Sequence, residues 1–337
     1  MPQAVTPATS PAPTPAQDAP PNWVDDRHPI GRLIKALLAV EPLRQLMFFQ
    51  ARQLIIRTAE QRGIAWRARR QQLQRQAEPF LEEAGNPLTT TPPYYRARFH
   101  AYGAGNLCWA AACEAEQATD AMALRVWPGE TLSPEQAQQR LRQAIFDAIA
   151  PSLAGRAVHE ALDLGCSVGV GTLALKRWLE QRQSMPVRVR GVDLSPHMLA
   201  VARVRDADGE IVAWHHAAAE ATGLPDASVD LITLQFVCHE LPAAATAAVL
   251  RESARLLRPG GVIALVDQDP DSAVIRRLPA PIATLLKSTE PYLEDYFRLD
   301  LPEALRHAGF QGVRSQACDP RHRVLVASRQ GGSGIVF

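Results

Sequence analysis

The stretch that decides the fold is EALDLGCSVGVGT, Glu160 to Thr172. An apolar run ends in an acid, Asp163, and the chain then breaks into glycines at 165, 169 and 171. In open parallel sheets, ligands bind just beyond such strand ends. Glycines there permit positive φ and let a ligand approach the main chain. The dinucleotide pattern G-x-G-x-x-G is broken, because Ser167 and Val170 stand where its second and third glycines would fall. A pyrophosphate wants free backbone N–H groups and no carboxylate beside them. Asp163 has the wrong sign for that neighbour and suits a ligand ammonium group. The next expected strand ends at Asp193, where an acid accepts hydrogen bonds from both ribose hydroxyls. A place for a ribose and a place for a cationic amino-acid group together describe S-adenosylmethionine better than NAD.

Outward from this loop, strands and helices alternate. VRVRGVDLS, EIVAWHHA, SVDLITLQFVC and VIALVDQD read as strands, VGTLALKRWLEQRQ and PHMLAVARVRDAD as helices. PAAATAAVLRESARLLRPGG is predicted to stay helical to Gly260. A helix near LPEALRHAG and two strands, VRSQAC and HRVLVAS, close the pattern. Alternation with short connections predicts an α/β fold: a doubly wound, seven-stranded, mostly parallel sheet covered by helices on both faces.

Before it lies different material. Residues 1–26 are Pro- and Ala-rich with little to bury, and are expected to be a disordered tail. Residues 27–150 read as a helical N-terminal extension capping the active site, and 151–330 as the cofactor-binding domain. The first part of the extension is basic: Glu41 and Glu60 are the only carboxylates between Arg27 and Gln76. A basic amphipathic helix lies on an anionic membrane surface or forms a helical cap with a solvated face, and residues 27–83 leave both readings open. SPEQAQQRLRQAIFDAIAPSL opens with Ser133 as N-cap and Pro134 in the first turn.

The whole chain has 337 residues, 47% apolar and 21% charged, with a formal net charge of +1. This composition suits a globular protein and gives no global charge for nucleic acid. Five cysteines without a C-x-x-C pair argue against a zinc site or a disulfide framework, so neither metal nor disulfide is expected. No apolar run reaches the length of a membrane span, and no secretory signal opens the chain. A cytoplasmic protein is expected, peripheral membrane contact through 27–83 remaining possible. Residues 1–21 hold no Arg or Lys, which weakens a transit-peptide reading without excluding a plastid.

Four motifs, LDLGCSVGVGT, GVDLS, GLPDASVDLITLQFVCHELP and LLRPGGVIALVDQD, make residues 158–270 resemble a class I S-adenosylmethionine-dependent methyltransferase. Within that family the chain looks most similar to enzymes acting on small molecules, the ubiquinone and menaquinone C-methyltransferase type among them. The resemblance implies S-adenosylmethionine as cofactor. It assigns Asp163, Gly165, Cys166 and Gly169 to the methionine end, Asp193 to the ribose and Leu194 to the adenine side. It places Ala219 and Glu220 at the adenine turn and Gln235 in the cleft wall. Where the family often carries an Asp against the adenine amino group, this chain has Ala218.

His239 and Glu240 are the catalytic candidates, on the lip of the cleft just past the fourth strand. The ordinary pKa of histidine suits a general base, and a local structural role is the alternative. Asp267 and Asp269 end the fifth strand beside them. Glu290, Tyr292, Asp295 and Tyr296 form a candidate lid, core packing being the favoured reading of the two tyrosines, and His100, Tyr102, Asn106 and Trp109 form a candidate acceptor wall, with an ordinary packed helix start as the alternative. His215 and His216 read as a surface pair. The expected reaction is methyl transfer to O, N or C of a small, apolar, quinone- or lipid-like acceptor. The competing readings are an NAD(P)-linked oxidoreductase and a catalytically idle, membrane-associated scaffold.

Overall fold

Seven strands form one sheet: β1 (Glu160–Leu164), β2 (Arg188–Asp193), β3 (Ala213–His216), β4 (Val229–Gln235), β5 (Leu257–Gln268), β6 (Phe310–Ala317) and β7 (His322–Arg329). Their order in this computed structural model, which describes residues 29–100 and 102–331, is β3-β2-β1-β4-β5-β7-β6. The predicted tail 1–26 lies outside the described residues. All pairings are parallel except those of β7, which runs antiparallel to β5 and β6. The order reverses between β1 and β4, so a crevice opens beyond their carboxyl ends, and Asp163 and Gln235 sit there.

Among the described residues thirteen α-helices surround the sheet. The extension supplies α1 (Pro29–Ala39), α2 (Glu41–Gln61), α3 (Trp66–Ala77), α4 (Leu81–Ala84), α5 (Trp109–Val126) and α6 (Pro134–Ile149). Between the strands run α7 (Val170–Gln183), α8 (Pro196–Arg205) and α9 (Ala243–Leu256). After β5 come α10 (Ala273–Arg276), α11 (Ala280–Thr289), α12 (Leu293–Arg298) and α13 (Leu301–His307). Local chemistry sets their starts. Ser133 and Gln136 complete a reciprocal capping box on α6, with Pro134 in the first turn. The Ser195 hydroxyl accepts from the Met198 N–H and starts α8.

One boundary differs from the sequence reading. α9 stops at Leu256, and β5 begins at Leu257, so LRPGG belongs to the strand rather than the helix. A proline inside a helix loses a hydrogen bond and clashes with the preceding turn. Pro259 therefore drives its predecessors into extended backbone, and Leu257 pairs with Val229 across a register shift.

One buried cluster joins α5 and α6 to one face of the sheet, through Leu124, Leu141, Ile145, Leu175 and Val262. A second, on the other face, joins α9, α12 and α13 through Leu250, Tyr296, Leu305 and Ile263. The extension thus shares a core with the sheet and is held over the crevice by apolar burial.

Candidate active site

Above the β1 and β4 ends lies a cavity of about 700 Å³. Its floor is the loop after β1. Gly165 (φ +71) lies where a Cβ would fall 2.5 Å from Val237, and Gly171 where one would meet the Gln235 amide at 2.9 Å. Ser167 also holds positive φ, at +49. Its N–H donates to Asp193 Oδ2 at 2.8 Å. A residue other than glycine in the left-handed region is strained, and here the strained turn aims an N–H at the acid of β2.

The predicted cofactor residues converge with one exception. Asp163, Gly165, Cys166, Asp193, Leu194 and Gln235 line the cavity, as do Ala219 and Glu220. Gly169 does not; it caps α7 at φ +79 and packs against Trp214, while Gly171 takes the cavity-facing place. The Asp163 carboxylate is buried and accepts from the hydroxyls of Thr172 (2.7 Å) and Thr233 (2.6 Å). Burial pushes its pKa up, against the pull of those hydrogen bonds. Asp193 accepts from the N–H groups of Ser195 and Ser167, both at 2.8 Å, and from the Tyr95 hydroxyl at 3.3 Å. Burial lifts its pKa to about 6. Glu220 accepts from the Tyr94 hydroxyl at 2.7 Å through Oε1. Cys166 is a buried thiol, its pKa pushed well up by burial.

His239 is buried and tied to Asp267: Nδ1 lies 2.8 Å from Oδ1, and the backbone N–H donates to Oδ2 at 3.1 Å. Among the described residues its Nε2 has no protein partner. Burial disfavours the imidazolium, yet the Asp267 charge and hydrogen bond outweigh it and raise the pKa to about 9. Glu240 is a member of a different set. His100 bridges two carboxylates, with Nε2 2.8 Å from Glu240 and Nδ1 2.6 Å from Glu290. The Asn106 amide donates to the second Glu240 oxygen at 2.7 Å. Burial would raise the Glu240 pKa, but His100 holds it below the usual carboxylate range.

The other candidates divide. Tyr102 faces the cavity and donates to Glu114 at 2.7 Å. Trp109 instead packs edge-on against His197. Asp269, Tyr292, Asp295 and Tyr296 are absent from the cavity wall; the Tyr296 hydroxyl donates to the Gln268 carbonyl at 2.6 Å. His215 and His216 are half-buried residues of β3 rather than part of a surface loop, and His216 accepts from the Asn86 N–H at 2.8 Å.

Residues 162–265 match the family described as a methyltransferase domain. The trans-aconitate 2-methyltransferase of Azoarcus sp. (strain BH72) is 34% identical over 184 residues, 52% of this chain and 67% of the relative. The ubiquinone biosynthesis O-methyltransferase of Xanthomonas oryzae pv. oryzae is 28% identical over 224 residues, 62% of this chain and 86% of the relative. Several other curated relatives are matched over only about a third to a half of their length. The phosphoethanolamine N-methyltransferase 2 of Haemonchus contortus, solved with S-adenosyl-L-methionine, is similar at TM-score 0.44 and 15% identity, over 56% of this chain and 52% of that one.

The chain is a class I S-adenosylmethionine-dependent methyltransferase. The NAD(P)-linked alternative is disfavoured accordingly, and S-adenosylmethionine is the cofactor.

The cavity fits that cofactor on its own chemistry. Polar atoms that are buried and lack a protein partner come from residues in its wall: Glu220 Oε2, Arg142 Nε, Gln268 Oε1 and Glu290 Oε2. Orphaned buried polar atoms are rare in native proteins and point to a polar ligand. Arg142 was not foreseen. It is one of two arginines on an amphipathic helix, and only the docking of α6 onto the sheet turns it inward. There it donates to Gln235 Oε1 at 2.7 Å, beside Asp163. Burial lowers its pKa to about 10, against the pull of Asp163 and Asp120. Tyr94 and Tyr95, also unforeseen as site residues, sit in the loop ahead of α5 with no spacing signal to mark them.

Proposed function

We propose that this methyltransferase passes a methyl group from S-adenosylmethionine to an oxygen, nitrogen or carbon nucleophile on a small acceptor with a substantial apolar body. The observation that carries the reading is the position of His239: it lines the same cavity as Asp163 and Asp193 while Asp267 fixes its ring. The curated relatives' names, trans-aconitate and ubiquinone-biosynthesis methyltransferases, support a small-molecule acceptor.

When bound, the cofactor supplies an electrophilic methyl group on a cationic sulphur. The protein's share is binding, alignment and proton handling. Asp193 accepts from the ribose hydroxyls. Glu220, through its unpartnered Oε2, bonds the adenine amino group where Ala218 offers nothing. Asp163 faces the ammonium and Arg142 the carboxylate of the amino-acid end. The loop glycines and Cys166 admit that end against the main chain. His239 takes the acceptor's proton at Nε2, with Asp267 fixing the ring and stabilising the imidazolium. Glu240 orders the cleft mouth through His100 and Asn106 rather than touching the reacting atoms.

The extension 27–150 is the cap in this reading and 151–330 the cofactor domain; Tyr95, His100, Asn106 and Arg142 reach the cavity from the cap. Peripheral membrane contact is a second reading for the cap, favoured by Leu33 (59% exposed), Leu46, Phe49 and Leu54 (66% exposed) among the basic residues of α1 and α2. Among the described residues no helix is long and apolar enough to cross a membrane.

The test is incubation with methyl-labelled S-adenosylmethionine and a cell extract, followed by mass spectrometry. A labelled small molecule that disappears with Asp193→Ala is the expected result. A wild-type chain that neither binds S-adenosylhomocysteine nor labels any product overturns the proposal.

A further inference from the structure

Two arginines in the cavity wall make no ion pair among the described residues. Arg125 ends α5, and Arg321 lies in the turn between β6 and β7. Both line the cavity. Among the described residues neither guanidinium makes an ion pair or a side-chain hydrogen bond. Arg125 sits at the solvent edge and Arg321 is half-buried.

The carboxylates of the same wall make no ion pair with Arg125 or Arg321; Glu220 takes the Tyr94 hydroxyl at Oε1, its Oε2 being unpartnered. Glu114 pairs with Arg52 and Arg70. Asp163 is held by threonines and Asp193 by backbone N–H groups. Glu240 and Glu290 share His100. Asp319, two residues before Arg321, is an opposite charge near it, but its carboxylate is buried against His322 at 2.8 Å and makes no ion pair with the guanidinium. Like charge, meanwhile, gathers: Arg62 and Arg321 both flank Arg125. Desolvation and that neighbouring charge depress both Arg125 and Arg321. A guanidinium carries five donors in a planar fork, and the proximity of like charges at Arg62, Arg125 and Arg321 is a repulsion that a bound anion would relieve. The same cavity wall also carries apolar side chains, Ile55, Met122 and Phe236 among them.

We infer that Arg125 and Arg321 form a subsite for an oxyanion, so that the acceptor is an amphipathic acid: an apolar body carrying a carboxylate or phosphate. Fork-shaped donors match either group bidentately, and a charge-assisted pair is about twice as strong as a neutral one. Binding of the anion removes the repulsion between the two guanidiniums and leaves the acceptor's apolar part against Phe236 and Met122. The inference rests on the methyltransferase reading for the identity of the bound molecule as acceptor.

Calorimetry with three probes of equal chain length tests it: octanoate, octyl phosphate and uncharged octanol, each titrated onto protein saturated with S-adenosylhomocysteine. At least one anion is expected to bind about tenfold or more tightly than octanol. The preference falls with added salt, and the tighter anion names the head group. It disappears in the Arg125→Gln/Arg321→Gln variant and survives in part in Arg321→Lys, which keeps charge without the fork. S-adenosylhomocysteine affinity is unchanged in both variants, and the double glutamine variant, relieved of the repulsion, unfolds at no lower a temperature than the wild type. Octanol matching the anions, no probe binding at all, or a preference that survives the double glutamine variant overturns the inference. The S-adenosylhomocysteine titration is read first. A chain that ignores that nucleoside sinks the cofactor reading alone, and the anion preference is then read on the ligand-free protein.

Discussion

Asp267 grips His239 twice, by the ring at 2.8 Å and by the backbone N–H at 3.1 Å. One carboxylate therefore fixes both the position and the protonation of the histidine. With a pKa raised to about 9, His239 is an imidazolium at neutral pH in the free protein. A base must lose that proton first, so kcat/KM rises with pH and levels off near 9. Asp267→Asn removes the charge that raises the pKa and moves the inflection toward the ordinary histidine value of about 6.5. His239→Gln lowers the rate by about 10²–10⁴ and abolishes the inflection. A profile that is flat from pH 6 to 10 in the wild type would sink the base assignment.

The same pair makes a stability prediction of definite sign. The folded-state pKa of His239 lies above its unfolded value. The stabilisation is therefore full below about pH 6.5 and is lost as pH rises through about 9. Chemical denaturation of wild type and Asp267→Asn at pH 6 and pH 9.5 checks it. The gap between the two proteins is expected to be wider at pH 6.

In the proposed role Asp193 binds ribose as a hydrogen-bond acceptor, and its pKa is lifted to about 6. Protonation turns one oxygen into a donor, so S-adenosylhomocysteine affinity falls as pH drops below about 6. Asp193→Ala removes two hydrogen bonds to a charged group. At about 1.5–3 kcal/mol each, that weakens binding by a hundredfold or more. Isothermal titration between pH 5 and 8 reads both effects; pH-independent affinity in the wild type contradicts the assigned role.

The sheet was legible because alternating apolar runs and glycine turns dictate it locally: Asp163, Asp193 and Gln235 stand at strand ends wherever those strands pair. The cap was only half legible. Helical spacing marks α5 and α6, but which face of α6 turns inward depends on non-local burial of Leu141 and Ile145, so Arg142 carried no signal. Gly169 stands off the cavity wall because glycine serves two needs. Gly169 meets a positive φ and close packing against Trp214, whereas Gly171 makes room at the cavity. Partners far apart in sequence, such as His100 with Glu240 and Glu290, follow from the fold and have no spacing to betray them.

That His100 bridge pins the loop ahead of α5 across the cleft, aided by the His100 N–H donating to the Thr289 carbonyl at 2.9 Å. His100 is held at φ +50, a strained value for histidine. Replacing it by Gln removes the positive partner from two adjacent carboxylates. Limited proteolysis of His100→Gln is expected to cut faster between residues 93 and 108. KM for the acceptor rises, with little change in S-adenosylhomocysteine affinity. Equal cutting rates in wild type and variant would show that the bridge does not hold the loop.

Arg142 offers the sharpest separation of cofactor parts. It reaches Asp163 through Gln235, whose amide lies 3.3 Å from the Asp163 carboxylate. If the guanidinium meets the amino-acid carboxylate, Arg142→Gln weakens S-adenosylhomocysteine by about tenfold or more. 5′-Methylthioadenosine lacks that carboxylate and is expected to bind both proteins alike. Arg142→Lys restores charge without the planar fork and recovers only part of the loss. Asp163→Asn answers the converse: it weakens the amino-acid ligand by removing the charge opposite its ammonium group, again sparing methylthioadenosine. Should both nucleosides weaken equally in Arg142→Gln, the arginine is shaping the cleft through Gln235 rather than binding the ligand, and the ammonium and carboxylate assignments separate.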